Sequence, residues 1–142
     1  MFKTSQTELK RKVDKAVTAH DFVSARCVIL SMNLSSTLDV FLNADYPKEV
    51  REYALSLLKG QQELFKTRAA NDPSPTSRIE LLKLIPDAEF REKRLLEDKS
   101  PLVKKFLIGE LSNRDLLRKL STSDKEDAHV REAASRRFMQ LL

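Results

Sequence analysis

A recurring interruption of the helical pattern constrains this fold more than any other feature of the sequence. Short polar segments, most of them containing proline, interrupt the apolar periodicity four times, and a basic residue follows each segment. With one weaker, earlier member, these residues are Arg26, Arg51, Arg78, Lys104 and Arg131. Successive members lie 25, 27, 26 and 27 residues apart. A period held this closely predicts a chain of repeated structural units.

Two apolar columns keep the same period. Three residues after each base stands an apolar residue, and a second apolar residue recurs in the later half of each complete unit. The first column is Ile29, Ala54, Leu81, Leu107 and Ala134, and the second is Phe41, Phe65, Phe90 and Leu116. Because residues in phase with a helical repeat face one side, we expect both columns, including Phe90, to be buried.

Capping residues and prolines divide each unit into a longer first helix and a shorter second one. The expected first helices span residues 47–59, 75–85, 101–111 and 128–142, and the expected second helices span 61–70, 90–96 and 113–120. The expected N-caps are Ser5, Asp21, Ser36, Asp87 and Ser112, and Gly60 suits a left-handed helix end. No segment alternates with the two-residue period of a strand, so the sequence predicts an all-α fold.

The segments 45–55, 98–107 and 129–137, with 112–120 as a short second helix, resemble HEAT-like α-solenoid repeat proteins. The closest type is the short-period leucine-rich repeat variant. This resemblance implies an α-α superhelix (solenoid) of about four to five short repeats of about 26 residues over 21–142. Residues 1–20 would form a basic N-terminal capping helix of the same single domain, 1–142.

The resemblance also bears on cofactors and on the basic column. The founding type of the variant family carries an iron–sulfur cysteine cluster, whereas Cys27 is the one cysteine of this chain, so no cofactor is expected. In such families the recurring base pairs with an acid of the preceding or neighbouring loop. The corresponding acids here are Asp45, Asp72 and Asp98.

The net charge of +5 raises the possibility of nucleic-acid binding. Most of the excess lies in the first helix, on Lys10, Arg11, Lys12 and Lys15. These four residues could contact phosphates, although a solvated helix face is the simpler explanation. The three second-helix segments carry no net charge together, which argues against a phosphate-binding groove.

Protein binding is the favoured function. HEAT-like stacks line their concave face with second helices, and bases there that the core does not need are candidate contacts with a protein partner. These candidates are Lys66, Arg68, Arg91, Arg94, Arg114 and Arg118. We therefore expect a non-catalytic scaffold or adaptor, with a nucleic-acid-associated protein as the alternative.

Catalytic and metal-binding patterns are missing from the sequence. His20 and His129 are the two histidines, and Cys27 is expected to join the buried face of its helix. Phosphate-binding loops and paired metal-ligand motifs do not occur, so neither an enzyme nor a metal protein is expected. The apolar runs are far shorter than the about 20 residues that span a bilayer, so the expected location is cytoplasmic.

The last expected helix carries an apolar stripe of Val130, Ala134, Phe138 and Leu141. Met139 and Leu142 fall beside this stripe, where a further helix would otherwise pack. Two such residues could support a small self-complementary contact. We therefore expect a monomer or a weak homodimer formed through the C-terminal helix.

Overall fold

The computed structural model describes residues 5–142, and this part of the chain contains ten α-helices and no strand. The all-α prediction is therefore confirmed. In the first compact unit, which ends at Gln61, the helices are α1 (Gln6–Thr18), α2 (Phe22–Ile29), α3 (Leu34–Leu42) and α4 (Lys48–Ser56). In the second unit, Gln62–Leu142, they are α5 (Gln62–Asn71), α6 (Pro75–Leu82), α7 (Ala88–Glu97), α8 (Pro101–Glu110), α9 (Arg114–Thr122) and α10 (Ala128–Gln140).

The first unit packs its helices around one apolar cluster. Helix α2 contacts both α1 and α4, and α3 contacts α4. The centre of the cluster is formed by Val13, Ile29, Val40, Val50 and Ala54, each almost completely buried. Since each helix contributes only one or two of these side chains, no helix of the unit could bury its apolar face alone.

Two residues of this unit that follow helices have a positive φ. Gly60 has φ 78°, the left-handed conformation expected from the sequence. His20, after α1, also has a positive φ of 56°. Its amide donates to the carbonyl of Val17 and the amide of Asp21 donates to that of Ala16, which together form a Schellman motif. Asp21 then caps α2 by accepting from the Ser24 amide, as predicted.

In the second unit, helices separated by one intervening helix pack on each other. Helix α8 contacts both α6 and α10, while α9 packs on α10 and α7 on α8. Leu81, Leu107 and Ala134 are buried in this arrangement. The first apolar column is therefore confirmed in both units.

The loops of the second unit are held by a buried ion pair. Arg78 donates from Nε to Asp98 Oδ2 at 2.9 Å and from Nη2 to Asp98 Oδ1 at 3.1 Å. Its Nη1 donates to the backbone carbonyl of Asp72 at 2.7 Å. The Asp98 side chain is 2% exposed and also accepts from the Ser100 amide. One guanidinium thus links the loops before α6 and before α8.

Some of the predicted helix ends are wrong. The predictions at Ser36 and Ser112 fail because asparagines cap both helices: Asn33 accepts from the Ser36 amide and Asn113 from the Leu116 amide. Asparagine is at least as good an N-cap as serine. In α3 the capping Asn33 precedes the predicted Ser36, and in α9 the capping Asn113 directly follows the predicted Ser112. The first helices α4 and α6 are also shorter than predicted, ending at Ser56 and Leu82.

The second apolar column is only partly correct. Phe65 is buried, but Phe41, Phe90 and Leu116 are half-buried. The buried positions of their helices are instead Val40, Leu95, Leu117 and Leu120.

Cys27 is exposed, so its predicted burial is wrong. Ala25 and Ile29 form the buried stripe of α2, and Cys27, midway between them in sequence, points away from it.

Candidate functional site

The six candidate bases of the second helices lie on α5, α7 and α9 of the second unit. Four of them form ion pairs within the unit and two do not. The paired ones are Lys66, Arg68, Arg91 and Arg94, and the other two are Arg114 and Arg118. This division bears directly on function. The positive charge of a base that is paired with an acid of the protein is partly neutralised, so it attracts a ligand less strongly.

Lys66 combines an ion pair with an aromatic contact. Its Nζ lies 2.9 Å from Asp87 Oδ2 and 5.8 Å from the centroid of the Phe90 ring. Asp87 is also the N-cap of α7, since it accepts from the Phe90 amide. The hydrogen bond from Lys66 and the cap lower the pKa of Asp87, and the same hydrogen bond raises the pKa of Lys66.

Arg91 repeats this arrangement on the next second helix. Its Nη2 lies 2.9 Å from Glu110 Oε2, and its guanidinium carbon lies 5.7 Å from the Phe106 ring centroid. Arg91 and Glu110 line a surface cavity of about 260 Å³ together with Glu92, Leu95 and other residues of α7, α8 and the start of α9. We call it the α7–α8 cavity.

Arg68 and Arg94 also serve the unit's own structure. Arg68 Nη1 lies 3.5 Å from Asp72 Oδ2, at the loop that Arg78 holds. Arg94 Nη1 lies 3.5 Å from Glu97 Oε2, and its side chain is only 12% exposed. The Nε of Arg94 is buried without a hydrogen-bond partner. Neither side chain is presented freely at the surface.

Arg114 and Arg118 differ from the other four. Both are exposed and lie one turn apart on α9, and neither has an acidic side chain within ion-pair distance among residues 5–142. The Arg118 guanidinium carbon lies 5.4 Å from the Phe138 ring centroid. The two arginines line a surface cavity of about 510 Å³ with Asn113, Asp115, Phe138 and Leu142, which we call the α9–α10 cavity.

The chemistry of the α9–α10 cavity is that of a mixed polar and apolar binding surface. Two guanidiniums offer charge-assisted hydrogen bonds, and Phe138 and Leu142 offer apolar contact. Met139, next to the cavity-lining Phe138, is 64% exposed, and Leu142 is 74% exposed. Side chains of this kind at one place are suited to recognition of a partner rather than to bond making.

The four bases of the N-terminal helix are divided in the same way. Lys10 Nζ lies 2.6 Å from Asp39 Oδ2, and Arg11 pairs with Glu8, which lowers the pKa of Glu8. Lys12 and Lys15 remain exposed, with no ion pair among the described residues. Two of the four bases that were predicted to contact phosphates are thus already paired with an acid.

Four of the five bases of the recurring column contact loops, whereas Arg26 lies over the ring of Tyr53 on α4. Arg78 pairs with Asp98 and Lys104 with Glu126, each across to a following loop. Arg51 donates to the Tyr46 carbonyl and Arg131 to that of Ser123, each in the preceding loop. The expected pairing of this column with neighbouring loops is therefore observed at Asp98, whereas the partner of Lys104 is a glutamate that was not named.

A metal-ligand group and a membrane-spanning helix are both absent from the described residues. Residues 5–142 contain no group of three or more potential metal-ligating His, Cys, Asp or Glu side chains. Within the same range, no helix is both long and apolar enough to cross a bilayer. His20 forms an edge contact with Phe22, with ring centroids 6.3 Å apart, in a helix-end motif.

Comparisons with known proteins do not add a second line of argument. The chain matches no protein-family model, no curated protein and no solved structure. The functional inference therefore depends on the geometry of the α9–α10 cavity.

The sequence analysis named the two free arginines and the apolar Leu142, but it did not place them together in one cavity with Phe138. Phe138 was assigned to the buried stripe of the last helix, although it is half-buried and also lines the cavity. The available signal was a spacing: Glu110 and Leu142 each stand four residues after the ring beneath an arginine. The residue at this spacing is Glu110 at the first cavity and Leu142 at the second.

Proposed function

We propose that this protein is a non-catalytic protein-binding scaffold or adaptor of the HEAT-like α-solenoid type, acting in the cytoplasm through its second helices. The single observation that supports a binding role is the α9–α10 cavity. There, two arginines without an ion pair lie beside exposed apolar side chains. Interfaces between proteins are enriched in arginine and aromatic residues. The cavity offers both within one surface depression.

The solenoid part of the proposal is supported by packing within each unit. In the second unit, first helices stack in series, α6 on α8 and α8 on α10, and in the first unit α2 stacks on α4. Contact between every second helix is what stacked helical pairs require. The interruptions near residues 45, 72, 98 and 124 all fall between helices, where a repeat boundary is expected.

Nucleic-acid binding is the weaker candidate. Affinity for nucleic acid comes mainly from neutralising phosphates. A base that is already paired with an acid of the protein contributes less to this neutralisation. Lys10 and Arg11 already have acidic partners, which leaves Lys12 and Lys15. Two lysines would give a weak interaction with only a modest dependence on salt, because that dependence scales with the number of phosphates neutralised.

A site-specific cross-linker tests the proposed function without assuming the chemistry of the partner. p-Benzoylphenylalanine is placed at Leu142, in the cavity, and in a separate protein at Leu96, which is 56% exposed on α7 outside the cavity. After irradiation in a lysate of the source organism, we expect discrete protein adducts from position 142 and not from position 96. The adducts should persist after nuclease treatment.

Equal cross-linking from both positions, or adducts that nuclease removes, would contradict the proposal. In parallel, replacement of Lys10, Arg11, Lys12 and Lys15 by glutamine tests the alternative. If the wild-type protein is retained on DNA and this variant is not, the basic helix has a binding role of its own.

A further inference from the structure

Two cavities of the second unit each lie at a contact between an arginine and a phenylalanine ring, but they differ in the charged residues around the arginine. In each, an arginine of a second helix lies over a phenylalanine ring of the helix that follows: Arg91 over Phe106, and Arg118 over Phe138. Four residues after the ring, the first cavity has Glu110, which pairs with its arginine at 2.9 Å. The second has Leu142 at that position. The charge that the first cavity satisfies internally is left unpaired in the second.

The net charges of the two cavities differ accordingly. The α7–α8 cavity has one arginine against Glu92 and Glu110, so its charged lining side chains sum to −1. The α9–α10 cavity has Arg114 and Arg118 against Asp115, so its charged lining side chains sum to +1. Neither of these two guanidiniums has an acidic partner among residues 5–142, so they can receive an anionic group, whereas Arg91 of the first cavity is already paired with Glu110.

We propose that the α9–α10 cavity binds an acidic segment of a partner protein, in which a carboxylate lies beside an apolar side chain. The carboxylate accepts hydrogen bonds from Arg118 and Arg114, and the apolar side chain covers Phe138 and Leu142. The proposal rests on the proposed protein-binding function and specifies the chemistry of the partner. Charge complementarity with the two arginines favours a carboxylate in the ligand, and the exposed Leu142 favours an apolar side chain next to that carboxylate.

Two other occupants fit the cavity less well. A nucleic-acid backbone supplies phosphates but no aliphatic side chain to cover Phe138 and Leu142. A second copy docked by two-fold symmetry would place the same cationic cavity against itself, since such contacts bring identical patches together. Both occupants have distinct outcomes in the test below.

The test uses a random peptide library displayed on phage, selected against the full chain. We expect enriched peptides to carry aspartate or glutamate next to leucine, isoleucine or phenylalanine. By fluorescence anisotropy, their affinity should decrease about tenfold in Arg118→Gln, the loss of one charge-assisted hydrogen-bonding partner. Lys119→Gln is the matched control, because Lys119 is exposed on the same helix but does not line the cavity.

Several results would overturn the proposal. These are enriched peptides without carboxylates, equal affinity for the wild type and Arg118→Gln, or no enrichment over selection on Arg118→Gln. Displacement of an enriched peptide by oligodeoxythymidine at equal concentration would indicate a phosphate site. Loss of peptide binding as the protein self-associates, seen by sedimentation velocity, would indicate a second copy.

The outcomes separate this proposal from the proposed function. Protein cross-links from position 142 combined with acid-free peptides would reject the acidic segment and retain protein binding. The absence of both would reject protein binding at this cavity altogether.

Discussion

The α7–α8 and α9–α10 cavities differ in whether a surface arginine that lies against a phenyl ring also meets an acid. Arg91 and Arg118 both lie against a phenyl ring, at 5.7 Å and 5.4 Å, on successive second helices. Arg91 is 20% exposed and paired with Glu110, whereas Arg118 is exposed and has Leu142 in place of the acid. The ring contact is common to both and does not distinguish them. The acid decides whether the arginine stabilises the protein's own structure or remains available to a partner.

This difference gives a criterion for the other bases. Arg78 is at the closed extreme, since its side chain is 13% exposed and makes two hydrogen bonds to a buried carboxylate. Arg114 is at the open extreme, exposed and without an ion pair among the described residues. Substitutions at the closed extreme should change stability, and those at the open extreme should change binding.

The largest expected effect is on the closed side. Asp98→Ala removes the carboxylate that Arg78 and the Ser100 amide share and leaves a mostly buried guanidinium without its partner. We expect a decrease of about 3 kcal/mol in the free energy of unfolding, measured by urea denaturation. Arg118→Met should change it by less than about 0.5 kcal/mol. Similar losses from both variants would remove the distinction between closed and open bases.

A smaller effect follows from exchanging the residue that differs between the cavities. Leu142→Glu supplies the acid that Glu110 supplies to Arg91, and should lower the affinity for the selected acidic peptides about tenfold. Leu96→Glu adds the same charge outside the cavity and should leave the affinity nearly unchanged. Calorimetric titration measures both. An affinity retained in Leu142→Glu would mean that Arg118 is not the receiving group.

The reverse exchange sharpens the comparison. Glu110→Leu releases Arg91, so the same titration should detect a weaker second site for the acidic peptide. The site should be weaker because Glu92 remains in the α7–α8 cavity. A stoichiometry that stays at one would show that Glu110 alone does not close that cavity.

The smallest effect concerns the closed site at Lys66. The pKa of Asp87 is lowered in the folded protein, so its contribution to stability is present above its ordinary pKa of 3.8 and is lost as pH falls through the lower folded value. Lys66→Gln should move the Asp87 titration midpoint upward, as followed by NMR of its side-chain carboxyl carbon. Part of the depression should remain, because the Phe90 amide still donates to this carboxylate. An unchanged midpoint would mean that Lys66 is not its main partner.

Much of the helical pattern could be predicted from the sequence because it depends on local rules. Each of these signals affects only the backbone within a few residues of it. They are the helix-breaking prolines, the N-caps Ser5, Asp21 and Asp87, and Gly60. The caps at Asn33 and Asn113 were missed since serine and asparagine compete as N-caps and both stand within a few residues of the helix start.

The division among the candidate bases could not be predicted in the same way. Arg91 and Glu110 are separated by 19 residues, and Lys66 and Asp87 by 21, so these pairs depend on how neighbouring helices pack. A count of charges on each helix gives no information about which of them meet. The half-burial of Phe90 also depends on packing, since its ring lies beneath Lys66 rather than within the core.

The most direct test of the account is to observe the arginine side chains while a ligand binds. In a protein labelled with ¹⁵N, the Nε–H signals of Arg78, Arg91, Arg114 and Arg118 are followed by NMR during titration with a selected acidic peptide. We expect the signals of Arg114 and Arg118 to shift with saturation while those of Arg78 and Arg91 stay in place. Shifts confined to Arg78 or Arg91, with Arg118 unmoved, would contradict the claim that the unpaired bases of α9 form the binding surface.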